Sequence, residues 1–141
     1  MTLNLRESDL FSMSRKQLFE RICAGHSVKA EELGDVQYRG VSLGLPQVVE
    51  RLTWKKFMKV FVADDQQGWG FNVRLQQTAL DEPCEPLTDK KGKPLRFGRY
   101  GLRPAQKGEF EDFESPPLVL DYGACEGRSF DPMRCLRVST A

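Results

Sequence analysis

Few residues of this chain could do chemistry by type, and they are widely spaced. Three cysteines and the single histidine would be needed for a zinc site, but no two of them have the spacing of metal ligands on one turn: Cys84, Cys125, Cys135 and His26. His26 lies in a short polar linker, which is typical of a solvated loop residue rather than half of a Cys–His nucleophile pair. The sequence therefore predicts no metal, no cofactor and no catalytic residue.

Carboxylates offer a weaker route to catalysis. Asp121 or Glu126 could act as a general base only in a cleft that raises the pKa of the side chain. Asp121 precedes Tyr122 and Gly123, so a turn residue at the end of a strand is the simpler interpretation. An enzyme that uses carboxylate or tyrosine acid-base chemistry is accordingly the alternative hypothesis.

Aromatic residues with neighbouring cations give the leading hypothesis. In a small β-barrel, inward-facing rings and one or two convergent cations form a pocket for an apolar molecule with a carboxylate or other polar head. The predicted function is thus non-enzymatic binding of a small apolar or amphipathic ligand, and the competing interpretation is that the rings only fill a solid core. The predicted ligand-binding residues are Tyr38, Arg39, Trp54, Lys56, Phe71, Arg74, Arg99 and Tyr100.

A β-hairpin near the middle of the chain must position several of these residues. Two segments of alternating residues, 55–63 and 71–77, flank a Gly-rich polar turn. In the second segment Phe71, Val73 and Leu75 point to one face of the sheet, and the polar residues between them point to the other. Residues 54–62 also have helical spacing, but their β-branched and aromatic cluster favours a strand.

The remaining pattern predicts a mainly β chain with short N-terminal helices. Strands are expected from residue 36, over 95–102 with strong curvature or a bulge at its glycines, and over 118–122. A helix is expected from the cap Ser14 to Gly25, a single turn from the cap Ser27 to Gly34, and a short helix over 47–52. The domain boundaries are a helical segment, 1–35, and an antiparallel β region, 36–141, within one domain.

Composition sets limits on class and location. The chain has 141 residues, of which 40% are hydrophobic and 29% charged, with a net charge of +1. Such a chain forms one ordinary globular domain, and its charge gives no overall field for polyanions or a membrane surface. Residues 1–6 lack the apolar core of a signal peptide, and no run reaches the length of a membrane span. These features predict a cytoplasmic protein with reduced thiols.

Local charge is less even. Seven basic residues lie between Asp89 and Lys107, interleaved with Phe97 and Tyr100, a pattern that single-stranded nucleic acid could use. Four acidic residues follow at once and can neutralise the same patch: Glu109, Glu111, Asp112 and Glu114. A solvated face is the favoured interpretation, and nucleic acid is disfavoured as a partner.

A resemblance adds a fold to this pattern. In order along the chain, Tyr38-Arg39-Gly40, Leu43 to Pro46, Trp54 to Phe57, Leu120 to Gly123 and Arg134 to Arg137 are similar to a group of small bacterial proteins and, more distantly, to the GXWXG family. Val36 stands where the first glycine of that signature falls, and Tyr38 where its tryptophan falls. The resemblance implies an antiparallel calycin-like (lipocalin-type) barrel, closed or partly open.

The C-terminal region predicts an exposed sheet edge. The apolar strand 118–122 is followed by about 19 mostly polar residues with no clear closing strand, so we expect the barrel to lack its last strands. An open edge of this kind would pair with a second copy or a partner. An interaction module is therefore the third hypothesis.

Overall fold

The fold is a curled antiparallel sheet preceded by short helices. The computed structural model describes residues 7–43, 46, 48, 54–62, 68–124 and 138–140. The helices are α1 (Glu7–Ser12), α2 (Arg15–Cys23) and α3 (Ala30–Leu33). The strands are β1 (Gln37–Val41), β2 (Lys56–Val62), β3 (Trp69–Arg74), β4 (Arg96–Pro104), β5 (Leu118–Asp121) and β6 (Val138–Thr140), and each pairs with the next. Strands β1 to β5 form half a barrel, which confirms the predicted mainly β class.

The central hairpin is present as predicted. Strands β2 and β3 pair antiparallel, with Phe57 opposite Arg74, Lys59 opposite Asn72 and Val62 opposite Trp69. Residues 56–62 therefore form a strand and not a helix. β3 begins at Trp69, which the sequence placed in the turn, while most of that turn and all of the predicted 47–52 helix except Val48 lie outside the described residues.

A bulge in β4 sets which side chains share a face. Gly70 pairs with Tyr100 and Asn72 with Phe97, so β4 contains one more residue than β3 between these two pairs. Gly98 lies in this extra stretch with a φ of 53°, a conformation that favours glycine. The bulge brings Phe97 and Tyr100 to the same side of the sheet. A bulge was one of the two features that the glycines of this strand allowed, the other being strong curvature.

The two faces of the sheet are distinct. Pairing and alternation place one continuous set of side chains, here called the inner face, on a single side: Tyr38, Phe57, Lys59, Phe61, Asn72, Arg74, Phe97, Tyr100, Leu102 and Leu120. The hydrophobic core lies on this face, where it consists of Phe61, Tyr100, Leu102, Leu118, Leu120 and Tyr122. The opposite side, the outer face, includes Lys56, Trp69, Phe71, Arg96 and Arg99.

Alternation in β3 is confirmed, but the burial of its polar side is not what the pattern suggested. Asn72 is only 1% exposed, because it lies on the inner face, and its amide donates to the Gly98 carbonyl at 3.1 Å. The apolar residue Phe71, by contrast, is half-buried on the outer face. Val73 and Leu75, on the same side as Phe71, are buried. Both sides of this segment are therefore covered, and the side that contacts the main core carries its polar residues.

The N-terminal helices contact the later part of the chain. The predicted Ser14 cap of α2 is confirmed, since its hydroxyl accepts from the Gln17 amide and the Gln17 side chain accepts from the Ser14 amide. The cap of α3 is Lys29 rather than Ser27, because the Ser27 hydroxyl instead donates to the Pro116 carbonyl. The sequence did not predict α1. Ala30 and Leu33 of α3 pack against the core.

The expected open edge at 118–122 requires correction. Strand β6 pairs with β5 along Leu118, Val119 and Leu120, so β5 has neighbours on both sides. The pattern missed β6 because its three residues are too short to show alternation. No helix in the described part of the chain is long and apolar enough to cross a membrane.

Candidate functional site

The predicted ligand-binding residues do not form one surface. Tyr38, Trp54, Arg74 and Tyr100 lie on or beside the inner face, as Trp54 stacks on Arg74 and Phe97. The other four belong to the outer face or its border: Arg39, Lys56, Phe71 and Arg99. Alternation sends half of the predicted residues to the opposite side of the sheet, which the sequence alone could not show.

On the outer face, arginine side chains stack on aromatic rings. The Arg96 guanidinium lies 4.3 Å from the ring centroid of Phe71, and the Arg99 guanidinium lies 4.4 Å from that of Trp69. The two rings are neighbours, with centroids 6.0 Å apart. Because guanidinium groups already occupy a face of each ring, these aromatic residues offer little free stacking surface.

A third arginine of the basic stretch is paired with carboxylates. Arg103 donates to both carboxylate oxygens of Glu109 at 2.8 and 3.1 Å and to Asp121 at 3.0 Å. Hydrogen bonds to Glu109 and then to Asp121 raise the pKa of Arg103 above its already high value. One of the four acidic residues expected to neutralise the basic patch therefore does so.

Lys56 is a structural cation. Its side chain is fully buried, and its ammonium donates to Thr78 Oγ1 and the Ala79 carbonyl at 2.8 Å each and to the Glu82 carbonyl at 3.2 Å. The Gln77 side chain also bonds to the backbone amide and carbonyl of Lys56. All three ammonium hydrogens are thus engaged by one loop, which leaves none for a ligand.

Lys59, three residues along the same strand, has a different environment on the inner face. Its ammonium donates to Tyr122 Oη at 2.8 Å and to Asn72 Oδ1 at 3.0 Å. It also lies 4.8 Å from the ring centroid of Tyr100 and 5.4 Å from those of Phe57 and Tyr122. Among the described residues, no carboxylate contacts this ammonium, so its partners are neutral dipoles and ring faces.

Burial without an opposite charge alters the acidity of this amine. Desolvation disfavours the charged form and lowers the pKa of Lys59 to about 8. Burial, and next the neighbouring Tyr122, raises the pKa of the Tyr100 phenol, whose hydroxyl donates to the Val60 carbonyl at 3.0 Å. Lys59 is therefore the titratable group of the inner face whose charge changes closest to neutral pH.

The inner face has a second cation near its other end. The Arg74 guanidinium lies 4.3 Å from the ring centroid of Trp54, which in turn packs against Phe97 with a centroid separation of 4.5 Å. Tyr38 contacts Phe61 edge-on at 5.5 Å and is 45% exposed. The inner face thus combines two cations with a wall of rings, one of which reaches solvent at strand β1.

The sequence did not single out Lys59, Asn72 or Tyr122. A signal was present, since Lys59 alternates with Phe57 and Phe61 and must share their face, although charged residues in strands usually point to solvent. The contact between Tyr122 and Lys59 could not be predicted, because Tyr122 follows β5 and reaches Lys59 only through the curl of the sheet. No cluster of His, Cys, Asp and Glu in the described residues could hold a metal ion.

No protein-family model, curated protein or solved structure matches this chain. The function proposed below therefore rests on the contacts of the inner face.

Proposed function

We propose that the protein binds a small amphipathic molecule with a carboxylate head on the inner face of its sheet, without catalysing a reaction. The observation that supports this proposal is the Lys59 ammonium, which is partly buried and contacts only neutral partners among the described residues. A cation removed from water without a counter-ion is costly, and a ligand carboxylate would supply that counter-ion.

The surroundings of Lys59 suit the rest of such a ligand. Phe57, Phe61 and Tyr100 share its face, and Tyr38 lies at the solvent side of this group. Val36, just before β1, is likewise 41% exposed, so the sheet edge carries apolar surface beside the ring wall. Because Phe61 and Tyr100 are themselves buried, an alkyl chain would lie along Val36, Tyr38 and Phe57, with its carboxylate at the cation. Arg74 is a second candidate partner for the same head group.

This function agrees with the calycin-like barrel that the sequence resemblance implies. We propose that the half-barrel of β1 to β5 is a partly open member of that architecture and that the resemblance to the GXWXG family reflects a shared fold. Two features support this proposal: the curled antiparallel meander and the Lys59 ammonium on its inner face.

Titration with octanoate or decanoate, followed by tryptophan emission, tests the function. Trp54 packs against Arg74 on the inner face, so a carboxylate ligand should change its emission. The Lys59→Met variant should bind about 10- to 100-fold more weakly, since a hydrogen bond to a charged group contributes about 1.5–3 kcal/mol. A flat response across a panel of such amphiphiles would contradict the proposal.

Two controls separate the head group from the chain. Lys90→Met removes an exposed lysine from a surface turn and should leave octanoate binding unchanged. Octan-1-ol has the same chain without the charge, so Lys59→Met should weaken its binding far less than that of octanoate. Equal losses for the acid and the alcohol would show that Lys59 acts through packing and not as a counter-ion.

An enzyme with acid-base chemistry is the second candidate. The contact that favours it is the 2.8 Å hydrogen bond between Lys59 Nζ and Tyr122 Oη, which places two titratable groups together on the inner face. Conversion of an added amphiphile to a new product would favour this candidate, whereas its unchanged recovery from the complex would favour the carrier.

A further inference from the structure

We infer that Lys59 is also a reactive amine and that amphipathic aldehydes and ketones are a second ligand class, held on the inner face as an imine with Lys59 Nζ. The inference rests on the proposed function, because it uses the same face for the apolar part of the ligand. It adds a covalent mode of binding and a different head group.

The geometry around the amine supports this chemistry. Lys59 is half-buried, and beside it Phe57 is half-buried and Tyr38 is 45% exposed, so this part of the inner face borders solvent. Its two hydrogen-bond partners, Asn72 and Tyr122, are neutral, and the nearest ring, that of Tyr100, is 4.8 Å away. A lysine paired with a carboxylate is held in the charged form, whereas here only neutral acceptors and ring faces offset the desolvation of the ammonium.

Lys56 provides the contrast within the same strand. Its ammonium donates three hydrogen bonds to the 78–82 loop and is fully buried, so its nitrogen has neither access nor a free lone pair. Imine formation is therefore expected at one of the two lysines only. The difference lies in their surroundings and not in their residue type.

The step is a condensation without electron transfer. The free-base nitrogen of Lys59 attacks the carbonyl carbon, a C–N bond forms, and an amine proton moves to the carbonyl oxygen to give a carbinolamine. Loss of the hydroxyl group with a second proton as water forms the C=N bond. One carbonyl and one amine thus yield one imine and one water, and no oxidant or reductant takes part.

Among the described residues, the titratable groups that face Lys59 are phenols. They belong to Tyr38 on β1, Tyr100 on β4 and Tyr122 after β5, and α3 packs Ala30 and Leu33 against the core. Arg74 is the other cation of this face and would act in the same direction as burial. The lowered pKa of Lys59, about 8, gives it a large free-base fraction where exposed lysines remain charged.

The experiment treats the full chain with octanal and sodium cyanoborohydride at pH 8, which reduces any imine to a stable secondary amine. Peptide mapping by mass spectrometry then locates the added alkyl chain. We expect labelling of Lys59 on the order of tenfold faster than that of the exposed Lys90, with a rate that rises through about pH 8. Equal rates at the two residues would overturn the inference, and this measurement needs no variant.

Octanoate binding and octanal labelling, both measured on the wild-type protein, distinguish the inference from the function on which it rests. Lys59→Arg cannot form an imine, so the octanal adduct at this position should disappear. Octanoate binding by the wild-type protein with no selective octanal adduct would overturn the imine and leave the carboxylate function intact. Failure of octanoate binding together with a selective adduct would do the reverse.

Discussion

Lys56 and Lys59 lie on the same strand, yet one is part of the scaffold and the other is the candidate site. Lys56 meets carbonyl and hydroxyl oxygens of a loop that folds over the outer face. Lys59 meets an amide oxygen, a phenol and three rings on the inner face. Alternation separates the two by side, and the surroundings decide what each can do. Burial of a lysine therefore does not indicate a function by itself, because the hydrogen-bond partners of its ammonium distinguish a structural lysine from a candidate binding residue.

The largest expected effect is on stability, when each lysine is replaced by methionine. Lys56→Met leaves the Ala79 and Glu82 carbonyls and the Thr78 hydroxyl without their donor, which should cost about 2–4 kcal/mol of unfolding free energy. Lys59→Met also leaves Asn72 Oδ1 and Tyr122 Oη without their donor, but it relieves the desolvation of a charge that has no carboxylate partner. These opposing effects should leave the change in stability below about 1 kcal/mol at pH 7. Urea unfolding of both variants measures the difference. Equal losses would break the distinction between the two lysines.

The next effect concerns the ring wall around Lys59. A Cβ at Gly70 would clash with the Val60 carbonyl oxygen of β2 and would lie 2.6 Å from the Tyr100 ring, so Gly70→Ala should displace both the β2 backbone and that ring and cost about 1–3 kcal/mol. Gly101→Ala is the matched control, because its Cβ would meet only the Ala124 side chain at 3.4 Å. Thermal melting of the two variants makes the test, and similar melting temperatures would show that the Tyr100 ring has room to move.

A smaller effect should appear in the pH dependence of stability. Since the folded-state pKa of Lys59, about 8, lies below the ordinary value of 10.5, the folded chain binds fewer protons than the unfolded chain between these values. Stability therefore rises with pH in this window, as the cost of the buried charge is relieved. Relative to Lys59→Met, wild type should gain about 1–3 kcal/mol between pH 7.5 and 10.5. A difference that does not vary with pH would mean that Lys59 is not desolvated.

The smallest expected effect is on the outer face. Arg96 and Arg99 stack on Phe71 and Trp69, and Arg103 is paired with Glu109, so oligonucleotide binding at physiological salt should be absent. A fluorescence-anisotropy titration with single-stranded DNA checks this. Micromolar binding with a steep salt dependence, lost when all three arginines are neutralised, would make the outer face the functional one.

The sequence could predict the strands far better than the site. Alternation in 55–63 and 71–77 was sufficient to predict the hairpin. The glycines of β4 indicated that this strand would have strong curvature or a bulge. The predicted site includes Lys56 and not Lys59, because local alternation defines two faces of a strand but does not show which face the core will occupy. That choice depends on Tyr122, Leu118 and Leu120, which lie about sixty residues further along the chain. Long-range packing of this kind leaves no local pattern.

Two hydrogen bonds that anchor the N-terminal helical region to the later part of the chain have a consequence for the order of folding. The Cys23 carbonyl accepts from the Glu114 amide, and Ser27 donates to Pro116, 89 positions away. During synthesis these helices leave the ribosome long before their anchoring residues exist. Contacts of such high sequence separation form late, because the chain entropy lost in closing the loop must be met by other interactions first. The helices should therefore dock after the hairpin has formed, as the closing step of folding.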